Sequence, residues 1–214
     1  ASLVGSEMCI RDSVDYALPK NIKKMQADME KYKIFYDKWF FESELHKSGA
    51  VKAVVDLLTE KGLTYEKEGA VWYKNKEVLT QKLLKEGKSQ KYIDNLELKD
   101  DVLIRQNGNP TYFTADIAYH KNKFDRGFTT LIDVWGADHH GHVMRMKGAM
   151  DAIGYDGDKL NVVLMQLVKL VKDGELVRMS KRTGKAIQLG DLLDEVPVDS
   201  ARFLFNTKEA NTQM

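Results

Sequence analysis

The sequence predicts an α/β domain with parallel strands. Apolar strand-like runs alternate with helix-periodic stretches through the second half of the chain. One of those runs, Thr130–Trp135, delivers a glycine turn at Gly136 and then a helical stretch, the succession that puts polar side chains at the carboxyl end of a sheet. With 43% hydrophobic and 30% charged residues over 214 positions, the chain can also close a sizeable core.

Residues 1–13 show no periodicity and mix Gly5, Cys9, Arg11 and Asp12, so they are expected to form an unstructured or foreign leader. From Pro19 a helix is expected, with Ile22, Met25 and Met29 on one face. The aromatic-rich stretch Tyr32 to Phe41 reads as a short strand and an aromatic-lined turn. Its Phe35, Tyr36, Trp39, Phe40 and Phe41, together with Trp72 and Trp135, are expected in the core. Val51, Val54, Val55, Leu57 and Leu58 mark a second helix, closed by Gly62. Ala70–Tyr73 is a strand.

Residues 74–100 are charged, with a helical signal at Val78–Leu84, and read as a peripheral insertion. Asn107-Gly108 turns a hairpin between Val102–Arg105 and Thr111–Phe113. Then follow a buried strand at Thr130–Trp135, a helix at His140–Ile153 and a buried strand at Asn161–Val168. Lys172-Asp173-Gly174-Glu175 is a tight turn, and Leu189–Val196 and Asp199–Phe205 are short helices.

Composition removes several classes of function. Thirty-three basic and 32 acidic residues give a net charge of +1, which excludes a strongly basic nucleic-acid surface while allowing a local patch. The single Cys9 excludes a disulfide framework and a cysteine-rich zinc site. No apolar run approaches the roughly 20 residues of a membrane helix, so a reducing, cytoplasmic setting is expected.

Three stretches carry chemistry. Gly136-Ala137-Asp138-His139-His140-Gly141-His142 follows the strand; its glycines allow close backbone approach, and the helix start offers N–H donors to anions. Its histidines suit contacts with a nucleotide. Equally, Asp138-His139-His140 resembles the signature of a metal-dependent phosphoesterase family, with Asp15, Asp37, Asp116 and Asp133 as further acids but none in a ligand motif. A polar helix cap is the plain alternative. Tyr112 and Asp116 stand four apart, on one helix face, where a phenol beside a carboxylate suits a planar cation; a surface ion pair at a helix start is the simpler account. Finally, Arg178-Met179-Ser180-Lys181-Arg182-Thr183-Gly184 reads as a loop that wraps cations and a hydroxyl round a polyphosphate, or as a solvated basic turn.

Taken in order, these pieces resemble the bacterial arginyl-tRNA synthetases, class I enzymes with a Rossmann-type catalytic domain. The resemblance covers roughly residues 14–210. It rests on Tyr36–Phe40, Thr64–Trp72, Pro110–Phe113 running on to Asp116–Tyr119, Asp133–Gly141, and Asp173–Glu175 leading into Met179–Arg182. It implies ATP-dependent formation of arginyl-adenylate and transfer of arginine to tRNA-Arg, with Mg²⁺ accompanying ATP and no protein-bound metal. Tyr112 and Asp116 match the positions that recognise the guanidinium. Gly136, Asp138, His139 and His142 fall in the ATP-binding segment. Met179, Ser180 and Lys181 match the mobile signature loop, Lys181 stabilising phosphate charge; Arg178 stands where lysine is more usual.

The resemblance also implies a partial domain over residues 14–188 with a β-rich insertion at about 62–112. Residues 189–214 would begin the helical connection to an anticodon-binding domain. A His-Ile-Gly-His-like motif, the first strand and both tRNA-binding domains of the family have no counterpart here, so the chain is expected to be an internal fragment. Alone it is expected to be marginally stable and inactive in aminoacylation; a remnant that binds ATP or arginine without chemistry is a further alternative. The full-length enzyme is expected to be a cytoplasmic monomer.

Overall fold

The computed structural model describes residues 3–169, 171–172, 175–176 and 188–212. They divide into two compact units, one of residues up to Trp39 together with Val168–Thr212, the other Phe40–Leu167.

The first unit starts with a long helix, α1 (Leu3–Lys31), which carries Pro19 in its interior. The leader expected to lack structure is therefore helical from Leu3. No glycine or proline stands between Ser6 and Leu18, so intrinsic propensity sustains a helix where no apolar stripe announces one. Ile10, Val14, Tyr16 and Leu18 are indeed all exposed. After α1, residues 33–41 form no strand, and Phe35 and Tyr36 are exposed instead of buried. The antiparallel pair β6 (Val171–Lys172) and β7 (Glu175–Leu176) flanks the expected turn. Helices α8 (Leu189–Glu195) and α9 (Val198–Asn206) complete the unit. Lys31–Asp194 and Lys33–Asp199 ion pairs, each 2.5 Å, tie them to the end of α1, and Tyr32 meets Phe205 edge-on.

The second unit opens with α2 (Glu42–Lys47) and α3 (Ala50–Glu60), the latter closed at Gly62 with φ +70°. An α+β segment follows: β1 (Thr64–Lys67), β2 (Ala70–Tyr73), α4 (Asn75–Lys85), α5 (Gln90–Asn95) and β3 (Asp101–Ile104). The strands form one antiparallel sheet in the order β1-β2-β3. The segment is less peripheral than expected. Leu79 and Leu83 of α4 are buried, and Leu79 packs so closely on Gly148 that a Cβ there would meet it at 2.6 Å. Next come α6 (Tyr112–Asp125), β4 (Leu131–Gly136), a 3-10 turn at Ala137–His139, α7 (His140–Ile153) and β5 (Leu160–Met165). β4 and β5 run parallel, in register from Leu131↔Leu160 to Gly136↔Met165, with α7 as the crossover. This is the expected α/β unit.

The core joins α3, α6 and α7 to the strands through Val54, Leu58, Ile117, Met146, Met150 and Leu160. The expectation of fully buried strands fails in an instructive way. Leu131 and Asp133 point inward, whereas Ile132 and Val134 are 69% and 66% exposed. An apolar run suggests burial on both faces, but here an aspartate holds an inward position because buried partners neutralise it.

Candidate active site

The site is assembled where β3, α6, α7 and the end of β4 meet. The hairpin expected at Asn107-Gly108 is present as a turn with Gly108 at φ +79°, but its second arm is a single bridge, Ile104↔Pro110. The chain then enters α6 instead of a strand, because Thr111 is an N-cap whose hydroxyl accepts from the Thr114 N–H. Thr111 Oγ1 also donates to the Val102 carbonyl, and buried Thr114 Oγ1 to that of Leu103, both at 2.8 Å. These bonds clamp the first turn of α6 to β3, so that Tyr112 and Asp116 project from adjacent turns. Tyr112 is 79% exposed, and the Asp116 side chain is half-exposed.

Asp116 is gripped on both sides. Its backbone carbonyl accepts from His120 Nδ1 at 2.7 Å. Its carboxylate Oδ2 lies 3.2 Å from Nε2 of His142, in the first turn of α7. The His142 side chain is only 11% exposed, with its ring edge-on to Phe113 and tilted against Trp135. Arg145 Nε donates to His142 Nδ1 at 2.6 Å, and Arg145 Nη1 donates to Asp101 Oδ1 at 2.7 Å. The Arg145 guanidinium lies over the Phe113 ring. Burial pushes the Asp101 carboxyl above the usual carboxylate range, against the opposing pull of Arg145. A continuous chain therefore runs Asp101–Arg145–His142–Asp116.

Behind it lies a buried cluster. His120 Nε2 sits 2.5 Å from Asp133 Oδ2, and Lys123 Nζ donates to Asp133 Oδ1 at 2.7 Å. Burial pushes Asp133 up, but the bonds from His120 and Lys123 outweigh it and hold the carboxyl below its ordinary range.

At the end of β4, a Cβ on Gly136 would meet Asp138 Oδ1 at 2.5 Å, so glycine lets Asp138 fold back over the turn. Asp138 and His139 are exposed and 3.8 Å apart, and His140 and Gly141 are exposed beside them. Among the described residues, no three His, Cys, Asp or Glu side chains group so as to hold a metal ion. A cavity of about 800 Å³ between α4, residues 96–101 and α7 reaches Asp101 and Arg145 but not Tyr112 or Asp116.

The structure thus joins Asp116 to His142, keeps Tyr112 one turn away, and sets Gly136, Asp138 and His139 at the adjacent strand end. Arg178, Met179, Ser180 and Lys181 lie outside the described residues. Sequence reasoning did not find His120 and Arg145, although helical spacing offered both: His120 is four residues after Asp116, and Arg145 three after His142.

The family model described as tRNA synthetases class I (R), catalytic domain, matches residues 18–214. The chain belongs to this family. Among its relatives, the arginine–tRNA ligase of Caldanaerobacter subterraneus subsp. tengcongensis is 53% identical over 210 residues, covering 98% of this chain and 34% of the relative. That of Ruminiclostridium cellulolyticum is 51% identical, covering 94% and 33%. This class I catalytic domain therefore spans about a third of the length of these curated relatives. The solved structure of a putative arginyl-tRNA synthetase from Campylobacter jejuni superposes with a TM-score of 0.78 at 35% identity, over 97% of this chain and 41% of the other. Thermus thermophilus arginyl-tRNA synthetase, at 18% identity and a TM-score of 0.67 over 94% and 37% of the two chains, shares the fold. Neither the geometry of the synthetase domain nor these likenesses support the phosphoesterase reading. No described helix is long and apolar enough to cross a membrane.

Proposed function

We propose that this chain forms the amino-acid and nucleotide subsites of an arginine–tRNA ligase. In the whole protein, arginine and ATP, the latter as its magnesium complex, give arginyl-adenylate and pyrophosphate, and arginine then passes to tRNA-Arg. The observation that carries the reading is Asp116: a half-exposed carboxylate, one helical turn from exposed Tyr112, held by His142 and by His120 through its backbone. A planar guanidinium donates two parallel hydrogen bonds to a carboxylate, a pairing that an ammonium cannot match.

Gly136, Asp138 and His139 serve ATP in this reading. His142, expected there as well, is assigned to the amino-acid subsite, because both its ring nitrogens are engaged by Asp116 and Arg145. Lys181, with Met179, Ser180 and Arg178, would serve the phosphates, as the resemblance implies. The domain division stays as proposed from the sequence: a partial catalytic domain over 14–188, an insertion at about 62–112 and a helical connection from 189. The setting is proposed as cytoplasmic and the whole enzyme as a monomer.

Calorimetric titration of the chain with L-arginine, with L-lysine as control, tests the reading. Arginine-selective binding is expected, and Asp116→Ala should weaken it at least about a hundredfold, the loss of a charge-assisted bidentate pair. Equal affinity for lysine, or arginine binding unchanged in a folded Asp116→Ala variant, would overturn it.

A further inference from the structure

We propose that Arg145 is a positioning residue for arginine recognition, acting through His142 on Asp116. The proposal rests on the reading above for its substrate, but its physical content is independent of it. A neutral imidazole carries one ring proton, and the nitrogen without it must accept. Arg145 Nε, always a donor, points at His142 Nδ1 from 2.6 Å, so Nδ1 is the acceptor and the proton sits on Nε2. Nε2 faces Asp116 Oδ2. Arg145 thereby fixes the tautomer whose N–H steadies the carboxylate; with the other tautomer, two acceptors would face each other there.

Arg145 is in turn immobilised. Nη1 is bonded to Asp101 on β3, and the guanidinium lies over Phe113 of α6, the ring against which His142 also packs. Among the described residues, the polar groups facing His142 are thus Asp116 from α6, Arg145 from its own helix, and, beyond Arg145, Asp101 from β3; His139 reaches it across Trp135. Asp116 is left with one oxygen bonded to a neutral N–H and its remaining lone pairs directed at solvent, where a cationic ligand can take them.

The test is a two-dimensional proton–nitrogen spectrum of the imidazole rings of the chain, which has five histidines. The His142 signals are assigned by their loss in His142→Asn. The expected result is one protonated nitrogen and one bare nitrogen, the bare one being Nδ1. In Arg145→Met the two should average towards mixed tautomers, and arginine affinity should fall about tenfold, the effect of one lost hydrogen bond. In the His142→Asn background the same change at Arg145 should alter affinity less than twofold, since the ring it orients is gone. Should Arg145→Met not fold, Arg145→Lys keeps a cation for Asp101 but offers no rigid second donor, and is expected to show the same mixing. A His142 spectrum unchanged by either variant, or effects of the two substitutions that simply add, would overturn the proposal. A chain with the expected ring spectrum that binds no arginine would defeat the substrate reading and leave the tautomer assignment standing.

Discussion

His120 and His139 sit at nearly the same distance from the Trp135 ring, with centroids 6.3 and 6.5 Å away, yet they inhabit opposite environments. His120 is buried, with one nitrogen on the Asp116 carbonyl and the other against Asp133, which Lys123 also holds. His139 stands in solvent, with Asp138 as a neighbour at 3.8 Å, too far for a hydrogen bond. The difference separates two jobs that histidines do around one strand end. Inside, desolvated groups must all be satisfied at once, so each fixes its neighbours. Outside, water satisfies them, so they remain available to a ligand.

The comparison breaks most severely at Asp133. Removing it as Asp133→Ala leaves His120 and Lys123 facing an empty buried site, and the expected loss is roughly 3–5 kcal/mol, read from urea unfolding. A loss below about 1 kcal/mol would mean that the buried cluster is no more consequential than the exposed one. The same carboxylate gives a signed pH dependence. Its folded value lies below the ordinary range, so its stabilisation is fully present above about pH 4 and fades as pH falls through the folded value. The urea midpoint of the native chain should drop over that interval, and Asp133→Asn should flatten the drop.

A smaller effect is expected at Gly136→Ala. The new methyl would come within 2.5 Å of Asp138 Oδ1, but that carboxylate is the free end of an exposed side chain and can swing away. Under about 1 kcal/mol of stability should be lost in thermal unfolding. A larger loss would show that Asp138 is held in place and would narrow the contrast with the interior.

The same contrast explains how much of this molecule was legible in its sequence. Helix α7 was legible in full, His140–Ile153, because Gly136 and Gly154 bracket an unbroken periodic run. The parallel pairing of β4 and β5 followed from the helix between them, and Tyr112 with Asp116 from their spacing. What sequence could not give was which polar residues turn inward. Asp133 sits among Leu131, Ile132 and Val134 and reads as an interruption; only its three-dimensional partners, 10 and 13 residues earlier at Lys123 and His120, make it a core residue. Conversely, Asp138-His139-His140 draws the eye as a cluster, yet its members turn to solvent. The half of α1 before Pro19 was missed because its Ile10, Val14, Tyr16 and Leu18 all stand in solvent, and pattern reading detects burial, not propensity.

The smallest expected effect on stability belongs to His139→Ala, and it is the sharpest test of the exposed half. Its ring packs on Trp135 from the solvent side and has no buried hydrogen bond to lose, so unfolding should change by no more than about 0.5 kcal/mol. If the exposed cluster is kept for a nucleotide, the same substitution should weaken ATP binding several-fold in calorimetric titrations, with arginine binding unaffected. His120→Ala should show the reverse order, with stability falling and any change in ATP affinity following only from that. A His139 variant that loses stability but keeps its nucleotide affinity would place that ring with the interior and return the ligand-facing role to the backbone of the Gly136 turn.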